Sequence, residues 1–211
     1  MLVIGAKGLA KEIIQLLESN DYIGEIVCYD DVNVNDSNIL FNKYKILKDQ
    51  NIAAKLLKKD NKFLLGLGSP NLRSMLCEKF EKLGGDLQSL KSKNVYIGNY
   101  VNIDIGFTLM NSVNISNGVN IGKALLAYYG VIITHDVTIG NFVELSPGCK
   151  LLGHVKIENN VQIGAGAIIL PKVVIGENSI VGAGTVVTKS IPPNSLAVGV
   201  PARLINKKKD D

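Results

Sequence analysis

Tryptophan is absent from this chain, and aromatic residues make up only 6% of it although 46% of its residues are hydrophobic. A core with so few rings has to be filled by aliphatic side chains. Cysteine is also scarce, and the spacings of Cys28, Cys77 and Cys149 are unrelated to one another. They therefore predict neither a disulfide framework nor a cysteine-bound metal.

Long apolar runs and a strong charge bias are missing as well. The longest apolar run, residues 124–133, is too short to span a bilayer, and no signal peptide precedes the first strand. We therefore expect a cytoplasmic protein without membrane insertion. The net charge is only +4, and three consecutive lysines (207–209) are followed by Asp210 and Asp211. We interpret this segment as a solvated tail, which predicts no nucleic-acid partner.

A period of six residues runs through the second half of the chain. From Ile97 to Val187 every sixth residue is Ile, Leu or Val, with the single exception of Ala127. A second column, apolar or small, follows four residues later, from Val101 to Ile191. This period fits neither a helix nor a flat strand, and a β-sandwich would need turn signals every 8–12 residues. It predicts a parallel β-helix in which each hexad forms one short strand and one corner.

Stacked hexads would bury these columns in one continuous narrow core, in agreement with the low aromatic content. Cys149 falls in the second column, so we interpret it as a small core residue. Glycine often follows the first column, as at Gly98 and Gly122, and asparagine recurs nearby, as at Asn117 and Asn141. We interpret both residue types as supplying the permissive backbone that a corner needs.

Residues 1–90 lack this period and alternate strand with helix. The predicted elements are a strand at 1–4, a helix with Ile13, Leu16 and Leu17 on one face, a strand at 26–29, a helix around 52–59, a strand at 63–67 and a helix opened by Pro70. This alternation predicts an α/β domain with a small, doubly wound parallel sheet over residues 1–90. The β-helix domain and its tail then cover residues 91–211.

Two loops of this first domain have residues that suit a nucleotide. The turn Gly5-x-x-Gly8-x-Ala10 could present backbone amides to a phosphate. The acidic pair Asp30-Asp31 could bind a ribose or a base edge at the tip of the second strand. The second glycine of the dinucleotide fingerprint is missing, so the alternative is that these glycines only permit a tight turn.

The chain has two histidines, and both lie in the hexad region. His135 is followed by Asp136, and the position eighteen residues after His135 is Gly153. If a coil has eighteen residues, this imidazole faces a residue without a side chain, which leaves a slot for a ligand. An imidazole is the usual general base for an amine or hydroxyl nucleophile. We interpret His154 as a corner histidine that stabilises its turn.

Three other functions are excluded by what is missing. A zinc hydratase on a β-helix needs three histidine ligands, so we predict no metal. A nucleotidyltransferase needs a glycine-rich loop with Arg or Lys in a larger N-terminal domain. An ice-binding β-helix needs a ladder of threonines, and the threonines here form none.

With these residues in view, the chain resembles the sugar O- and N-acyltransferases of the sialic acid O-acetyltransferase type, a hexapeptide-repeat family. It is most similar to members that acetylate 4-amino sugars carried on nucleotides. The matching segments are Gly5-Ala6-Lys7-Gly8, Asp30-Asp31, Gly66-Leu67-Gly68, Thr134-His135-Asp136, Gly153 and Gly199-Val200-Pro201-Ala202-Arg203. The resemblance implies a left-handed β-helix and a homotrimer that binds acetyl-CoA between neighbouring subunits.

The resemblance also implies roles for individual residues. His135 matches the catalytic base, Asp136 stands where Glu is usual, and the Gly153 backbone faces the thioester. Cofactor contacts are expected at Gly153, Glu144, Ala165 and Ala183, with Glu144 in place of a second histidine. The nucleotide-sugar pocket is expected at Gly5, Ala6, Lys7, Asp30, Asp31 and Gly68. Lys7 stands where Ser or Gly is more usual.

The resulting hypothesis is an acetyl-CoA-dependent N-acetyltransferase. Its acceptor would be the amino group of a nucleotide-linked 4-amino-deoxy sugar in bacterial glycan or O-antigen biosynthesis. One alternative is O-acetylation of sialic acid or another sugar hydroxyl. An alternative of a different class is a non-catalytic trimeric binding scaffold.

Overall fold

The computed structural model describes residues 1–33 and 37–205. The chain divides into two compact units, Met1–Leu90 and Lys91–Asp211. The lysine run at 207–209, interpreted from the sequence as a solvated tail, lies outside the described residues. Within the described ranges, no helix is both long and apolar enough to cross a membrane.

The first unit is a mixed α/β sheet with its helices. Its elements are β1 (Leu2–Ile4), α1 (Gly8–Ser19), β2 (Val27–Tyr29), β3 (Ile39–Leu40), β4 (Tyr44–Leu47), α2 (Gln50–Leu57), β5 (Lys62–Leu65), α3 (Pro70–Lys82) and β6 (Asp86–Leu87). The strand order is β3-β4-β2-β1-β5-β6. Neighbouring strands are parallel except for the antiparallel pair β3–β4. After β1, the chain places β2, β3 and β4 on one side of β1 and then β5 and β6 on the other side. The strand order therefore reverses beside β1.

Apolar spacing explains the helices of this unit. Helix α1 buries Ile13, Leu16 and Leu17 at its predicted face. Pro70 opens α3 as expected, and Phe80 of that helix packs its ring edge-on at 5.1 Å from Tyr29. The predicted elements are present, but the sequence did not reveal β3, β4 and β6. These strands are only two to four residues long, with β3 and β6 at the sheet edges and β4 beside β3, so they carry too little alternation to be recognised.

The second unit is built from two-residue strands. They are β7 (Leu90–Lys91), β8 (Tyr96–Ile97), β9 (Asn102–Ile103), β10 (Thr108–Leu109), β11 (Asn114–Ile115), β12 (Asn120–Ile121), β13 (Leu126–Ala127), β14 (Ile132–Ile133), β15 (Thr138–Ile139), β16 (Glu144–Leu145), β17 (Lys150–Leu151), β18 (Lys156–Ile157), β19 (Gln162–Ile163), β20 (Ile168–Ile169), β21 (Val174–Ile175), β22 (Ile180–Val181) and β23 (Val186–Val187). An antiparallel pair, β24 (Leu196–Val198) and β25 (Arg203–Ile205), ends the described part.

Each strand from β8 to β20 pairs in parallel with the strand three hexads later. Ile132 lies opposite Lys150 and Ile133 opposite Leu151, a separation of eighteen residues. A coil therefore contains three hexads and contributes one strand to each of three sheets in the described part of the chain. The parallel β-helix predicted from the six-residue period is confirmed.

The two sequence columns both point into the prism. Leu145 of the first column and Cys149 of the second are fully buried and belong to the same apolar cluster. Burial raises the pKa of the Cys149 thiol to about 12. Cys149 is therefore a core residue, as expected, and is unsuited to act as a nucleophile.

The expected role of the glycines after the first column is wrong. Gly98 and Gly122 are not in the left-handed region, but a Cβ there would lie 2.5 and 2.4 Å from the Oδ1 atoms of Asn117 and Asn141 in the next coil. These asparagines accept hydrogen bonds from backbone N–H groups one coil away, at 3.0 Å from Asn99 to Asn117. Glycine is required here because the coils approach closely. The left-handed backbone occurs instead at the third residue after each first-column residue from Ile97 to Val181.

Candidate active site

Two pairs of residues lie one coil apart at the corners that follow β14 and β17. The eighteen-residue register stacks His135 on Gly153 and Asp136 on His154. The backbone N–H of His154 donates to the carbonyl of His135 at 3.2 Å. The corner therefore gathers both histidines of the chain and one carboxylate.

The imidazole of His135 lies directly against the backbone of Gly153. A Cβ added at Gly153 would come within 2.7 Å of His135 Cε1 and 2.8 Å of Nε2. The sequence predicted an open slot for a ligand at this point, but the ring itself occupies that space. The missing side chain at Gly153 lets the imidazole approach the next coil, with its Cε1–Nε2 edge against the space that a side chain would fill.

Asp136 accepts a hydrogen bond from the same ring on its other side. Its Oδ2 lies 2.8 Å from His135 Nδ1, and this bond lowers the pKa of the Asp136 carboxyl. Adjacent residues of a strand point to opposite faces, but Asp136 has a φ of 58°, which turns its side chain back toward His135. An ionised carboxylate only accepts, so in the neutral ring this hydrogen bond favours the tautomer with the proton on Nδ1 and the lone pair on Nε2.

His154 completes the cluster. Its ring stands edge-on to that of His135 with 5.3 Å between centroids, and its Nε2 lies 3.8 Å from Asp136 Oδ2. One nitrogen of each histidine and a carboxylate oxygen of Asp136 all lie within 4.8 Å of one another. The sequence analysis did not foresee this cluster, although its signal was present in the eighteen-residue spacing of Asp136 and His154.

The residues expected to contact the cofactor fall into separate places on the prism. Glu144, in β16, is buried and accepts a hydrogen bond from Ser146 Oγ at 2.9 Å. Ala165 and Ala183 are exposed and follow β19 and β22, one coil apart. The carbonyl of Ala165 accepts from Gly184 at 2.8 Å, so these two alanines share one corner. That corner follows a different sheet from the corner of His135.

The expected nucleotide residues meet at one edge of the first unit. Gly5, Ala6 and Lys7 follow β1, Asp30 and Asp31 follow β2, and Gly68 follows β5. These three strands are adjacent and parallel, so their carboxyl ends line the point where the strand order reverses. Nucleotides bind at such points in α/β sheets.

Gly5 is the tightest point of this edge. Its φ is 113°, and an added Cβ would lie 2.6 Å from the carbonyl oxygen of Gly66. Its N–H donates to the Tyr29 carbonyl at 2.7 Å. Glycine is therefore needed here for the turn that brings β1 into α1, which was the structural alternative weighed from the sequence.

The two acidic residues of the pair differ in what they contact. Asp30 is buried, and its carboxylate accepts from the N–H groups of Val32 and Asn33 and from Asn33 Nδ2 at 2.9–3.1 Å. Burial raises the pKa of Asp30, but these hydrogen bonds outweigh it and the net pKa is lowered. Asp31 is exposed to 42% and accepts from Tyr29 Oη at 2.7 Å. Asp30 stabilises its own loop, whereas Asp31 faces solvent.

Lys79 of α3 is a neighbour of this edge that the sequence did not reveal. Its Nζ lies 3.5 Å from Asp31 Oδ2 and 5.6 Å from the centre of the Tyr29 ring. Burial, followed by the hydrogen bond to Asp31, raises the pKa of Tyr29, which therefore stays a donor. Lys79 is one of many lysines at helical spacing, so no pattern in the sequence distinguished it.

Comparison with known proteins assigns both units. Residues 1–80 match the family described as PglD N-terminal domain, and residues 154–189 match bacterial transferase hexapeptide (six repeats). No curated protein matches the chain. WeeI from Acinetobacter baumannii AYE is 30% identical with a TM-score of 0.88, and the match covers 97% of this chain and 98% of that one.

Two further solved structures are similar over nearly the whole chain. PerB from Caulobacter crescentus, solved with CoA and GDP-perosamine, is 27% identical with a TM-score of 0.86, over 97% of this chain and 96% of that one. The acetyltransferase domain of PglB from Neisseria gonorrhoeae, solved with acetyl coenzyme A, is 24% identical with a TM-score of 0.87, over 97% and 98%. At that identity the likeness to PglB concerns the fold alone.

The same two-part architecture thus extends across these proteins at full length, which confirms the resemblance and the left-handed β-helix predicted from the sequence. The chain belongs to the PglD-type hexapeptide acetyltransferases.

Proposed function

We propose that this protein transfers the acetyl group of acetyl-CoA to the amino group of a nucleotide-linked 4-amino-deoxy sugar, for use in a bacterial surface glycan. The observation that carries the proposal is the base geometry of His135, held between Asp136 and Gly153. The binding of CoA and GDP-perosamine by PerB supports the choice of both substrates.

The reaction proceeds by direct transfer. The neutral amine attacks the thioester carbonyl carbon and forms a C–N bond while Nε2 of His135 takes the amine proton. The tetrahedral intermediate then collapses, the C–S bond breaks, and the sulfur leaves as CoA thiol with the proton from Nε2. Asp136 keeps the Nδ1 proton in place and offsets the charge of the imidazolium during the cycle.

Gly153 has two parts in this proposal. Its lack of a side chain admits the imidazole, and its backbone N–H is assigned to the oxyanion of the tetrahedral intermediate. A donor in that role contributes about 3 kcal/mol to transition-state stabilisation. No cysteine competes as a nucleophile, since Cys28, Cys77 and Cys149 are all buried, and this favours direct transfer over an acyl-cysteine route.

The first unit is assigned to the nucleotide. Amides at the start of α1, from Lys7 to Leu9, suit a phosphate, because a helix N-terminus attracts anions. Asp31 is the carboxylate that we assign to a ribose or base, because it is partly exposed beside Tyr29 and Lys79 whereas Asp30 is buried and bound by its own loop. We assign Glu144, Ala165 and Ala183 to contacts with acetyl-CoA.

The test measures thiol release from acetyl-CoA against a panel of amino and hydroxy sugars, each offered free and nucleotide-linked. We expect turnover of a nucleotide-linked 4-amino sugar and a fall in kcat of roughly 10²–10⁴ in His135→Ala, the usual contribution of a general base. His154→Ala is the matched control and should change kcat only slightly. Near-native turnover by His135→Ala, or a preference for hydroxyl acceptors, would contradict the proposal.

A further inference from the structure

We infer that His135, Asp136 and His154 form a binding site for a single transition-metal cation of the zinc or copper type, and that this metal inhibits the enzyme. Metal binding follows from the arrangement of the three side chains alone. Inhibition rests in addition on the proposed role of His135 as the base. From the sequence, a metal was not expected, because only histidines were counted as ligands.

The distances already approach those of a metal centre. Asp136 Oδ2 lies 2.8 Å from His135 Nδ1 and 3.8 Å from His154 Nε2. Around a tetrahedral zinc bound at about 2.0–2.1 Å, ligand atoms are roughly 3.3 Å apart. Two of the three separations lie on either side of that value, and all three ligand atoms lie within 4.8 Å of one another. Rotations about χ1 and χ2 would therefore be needed to bring the three ligands into place.

The surroundings allow both the rotation and the entry of the ion. The side chains of His135, Asp136 and His154 are 59%, 52% and 54% exposed. Their backbone is held by the stacked coils, since His154 N–H donates to the His135 carbonyl and Asp136 N–H to the Asn117 carbonyl, at 3.2 and 3.1 Å. Three protein ligands leave the fourth position of a tetrahedral metal open.

The donor set selects the kind of cation. Two imidazoles and one carboxylate suit Zn²⁺ and Cu²⁺, whereas Mg²⁺ and Ca²⁺ prefer oxygen ligands alone. Among the divalent ions of the first transition series, affinity should rise from Co²⁺ through Ni²⁺ to Cu²⁺, with Zn²⁺ below Cu²⁺. The site should therefore discriminate strongly against magnesium.

Occupation of the site removes the base in a defined way. A metal between Asp136 and His135 takes the Nδ1 lone pair, so the proton of the neutral ring moves from Nδ1 to Nε2. No proton is gained or lost, but Nε2 then carries a hydrogen and cannot accept one from the amine. A metal bound through Nε2 would block the same atom directly.

Direct binding is the first experiment, and it needs neither acetyl-CoA nor an acceptor. Metal-free full-length protein is titrated with Zn²⁺ in a calorimeter and with Co²⁺ while its visible absorption is recorded. We expect about one ion per chain and weak or no binding of Mg²⁺. His154→Asn should weaken Zn²⁺ binding at least tenfold, because loss of one of three protein ligands leaves an incomplete site. Asp104→Asn, which alters an exposed corner carboxylate on the same prism, should leave binding unchanged.

The second experiment measures thiol release with and without added Zn²⁺, using chelator-treated protein. Each protein is compared with its own metal-free rate. The wild type should be inhibited, while His154→Asn should require at least ten times more Zn²⁺ for half inhibition. Equal Zn²⁺ binding by wild type and His154→Asn would overturn the site. Tight binding without inhibition would overturn the regulatory role alone, and absence of turnover in the metal-free enzyme would count against the proposed function instead.

Discussion

At the scale of the residue, the orientation of one imidazole depends on two neighbours of opposite kinds. Asp136 places a carboxylate oxygen 2.8 Å from Nδ1. Gly153 leaves room for the ring, because a Cβ there would lie only 2.7–2.8 Å from Cε1 and Nε2. The left-handed φ of Asp136 turns the carboxylate toward the ring. The base is thus positioned by its corner and by the coil stacked on it.

The first prediction concerns Gly153→Ala. The new methyl group would displace the His135 ring, and a displacement of about 1 Å costs on the order of 10² in rate. Gly153 does not have a positive φ, so the backbone tolerates alanine and the melting temperature should change little. The kcat of the variant, measured by thiol release, should fall accordingly.

A double variant separates this clash from other effects. In a His135→Ala background the ring is gone, so adding Gly153→Ala should cost almost nothing further. If the two losses simply multiplied, Gly153→Ala would act independently of the imidazole, and the positioning argument would fail.

At the scale of the element, the hexads use glycine for two different reasons. Gly140 has an ordinary backbone, but an added Cβ would lie 2.8 Å from backbone atoms of Glu158 and Asn159 in the next coil. Gly130 has a φ of 68°, and an added Cβ would meet nothing within 4 Å. Close approach of coils and left-handed backbone are therefore separate requirements of the β-helix.

The second prediction compares Gly140→Ala with Gly130→Ala. The Gly130 change introduces only backbone strain, which costs roughly 1–2 kcal/mol in the left-handed region. The Gly140 change forces backbone atoms of neighbouring coils apart, which costs about 1–3 kcal/mol locally and disturbs the coil pairing as well. Urea unfolding should show Gly140→Ala to be the less stable variant, and the reverse order would contradict this account of the corners.

At the scale of the whole molecule, each of the two units has its own set of candidate functional residues. The first unit presents glycine turns and Asp31 at the carboxyl edge of its parallel strands. The second presents the His135 corner on its stacked coils. In the proposed function, one unit binds the nucleotide and the other performs the transfer.

The third prediction is that Asp31→Asn impairs acceptor use selectively. The amide still accepts from Tyr29 Oη, but the charge available to a ribose or base is lost. Hydrogen bonds to charged groups contribute about 1.5–3 kcal/mol, so the KM for the nucleotide-linked acceptor should rise roughly ten- to hundredfold. The dissociation constant for acetyl-CoA should stay within about twofold of the wild type.

Asp86→Asn, a change at an exposed carboxylate in the same unit, is the control and should leave both constants unchanged. The free sugar should be a much poorer acceptor than its nucleotide-linked form, because remote binding energy is lost with the nucleotide. Equal turnover of both forms would remove the nucleotide-binding role of the first unit and favour O-acetylation of a free sugar.

The fourth prediction is a homotrimer, as the family resemblance implies. Light scattering should report roughly 68 kDa for three chains of 22.7 kDa each. If the active site requires neighbouring subunits, dilution that dissociates the trimer should abolish activity at the same concentration. A fully active monomer would contradict a shared site.

The β-helix and its core could be predicted from the sequence, because the six-residue period is local. Each hexad forms one strand and one corner independently of the rest of the fold. The same holds for α1 and for Pro70 at the start of α3, whose signals are local. Strands β3, β4 and β6 were not recognised, since a strand of two to four residues shows no periodicity of its own. The role of Gly98 was misjudged because close approach between coils is not a property of the residue's own segment.

For the site, the sequence by itself determined which residues were candidates, since His135 and Gly153 stand out through scarcity and spacing. The tertiary structure decided what they do. Only the stacking of coils shows that the imidazole fills the space at Gly153, and only the left-handed turn at Asp136 brings its carboxylate to Nδ1. It also brings His154 to Asp136, and leaves Asp31 partly exposed while Asp30 is buried in its own loop. The reason is physical: residue type and spacing depend on the chain alone, whereas direction, contact and exposure depend on what the folded backbone places beside each side chain.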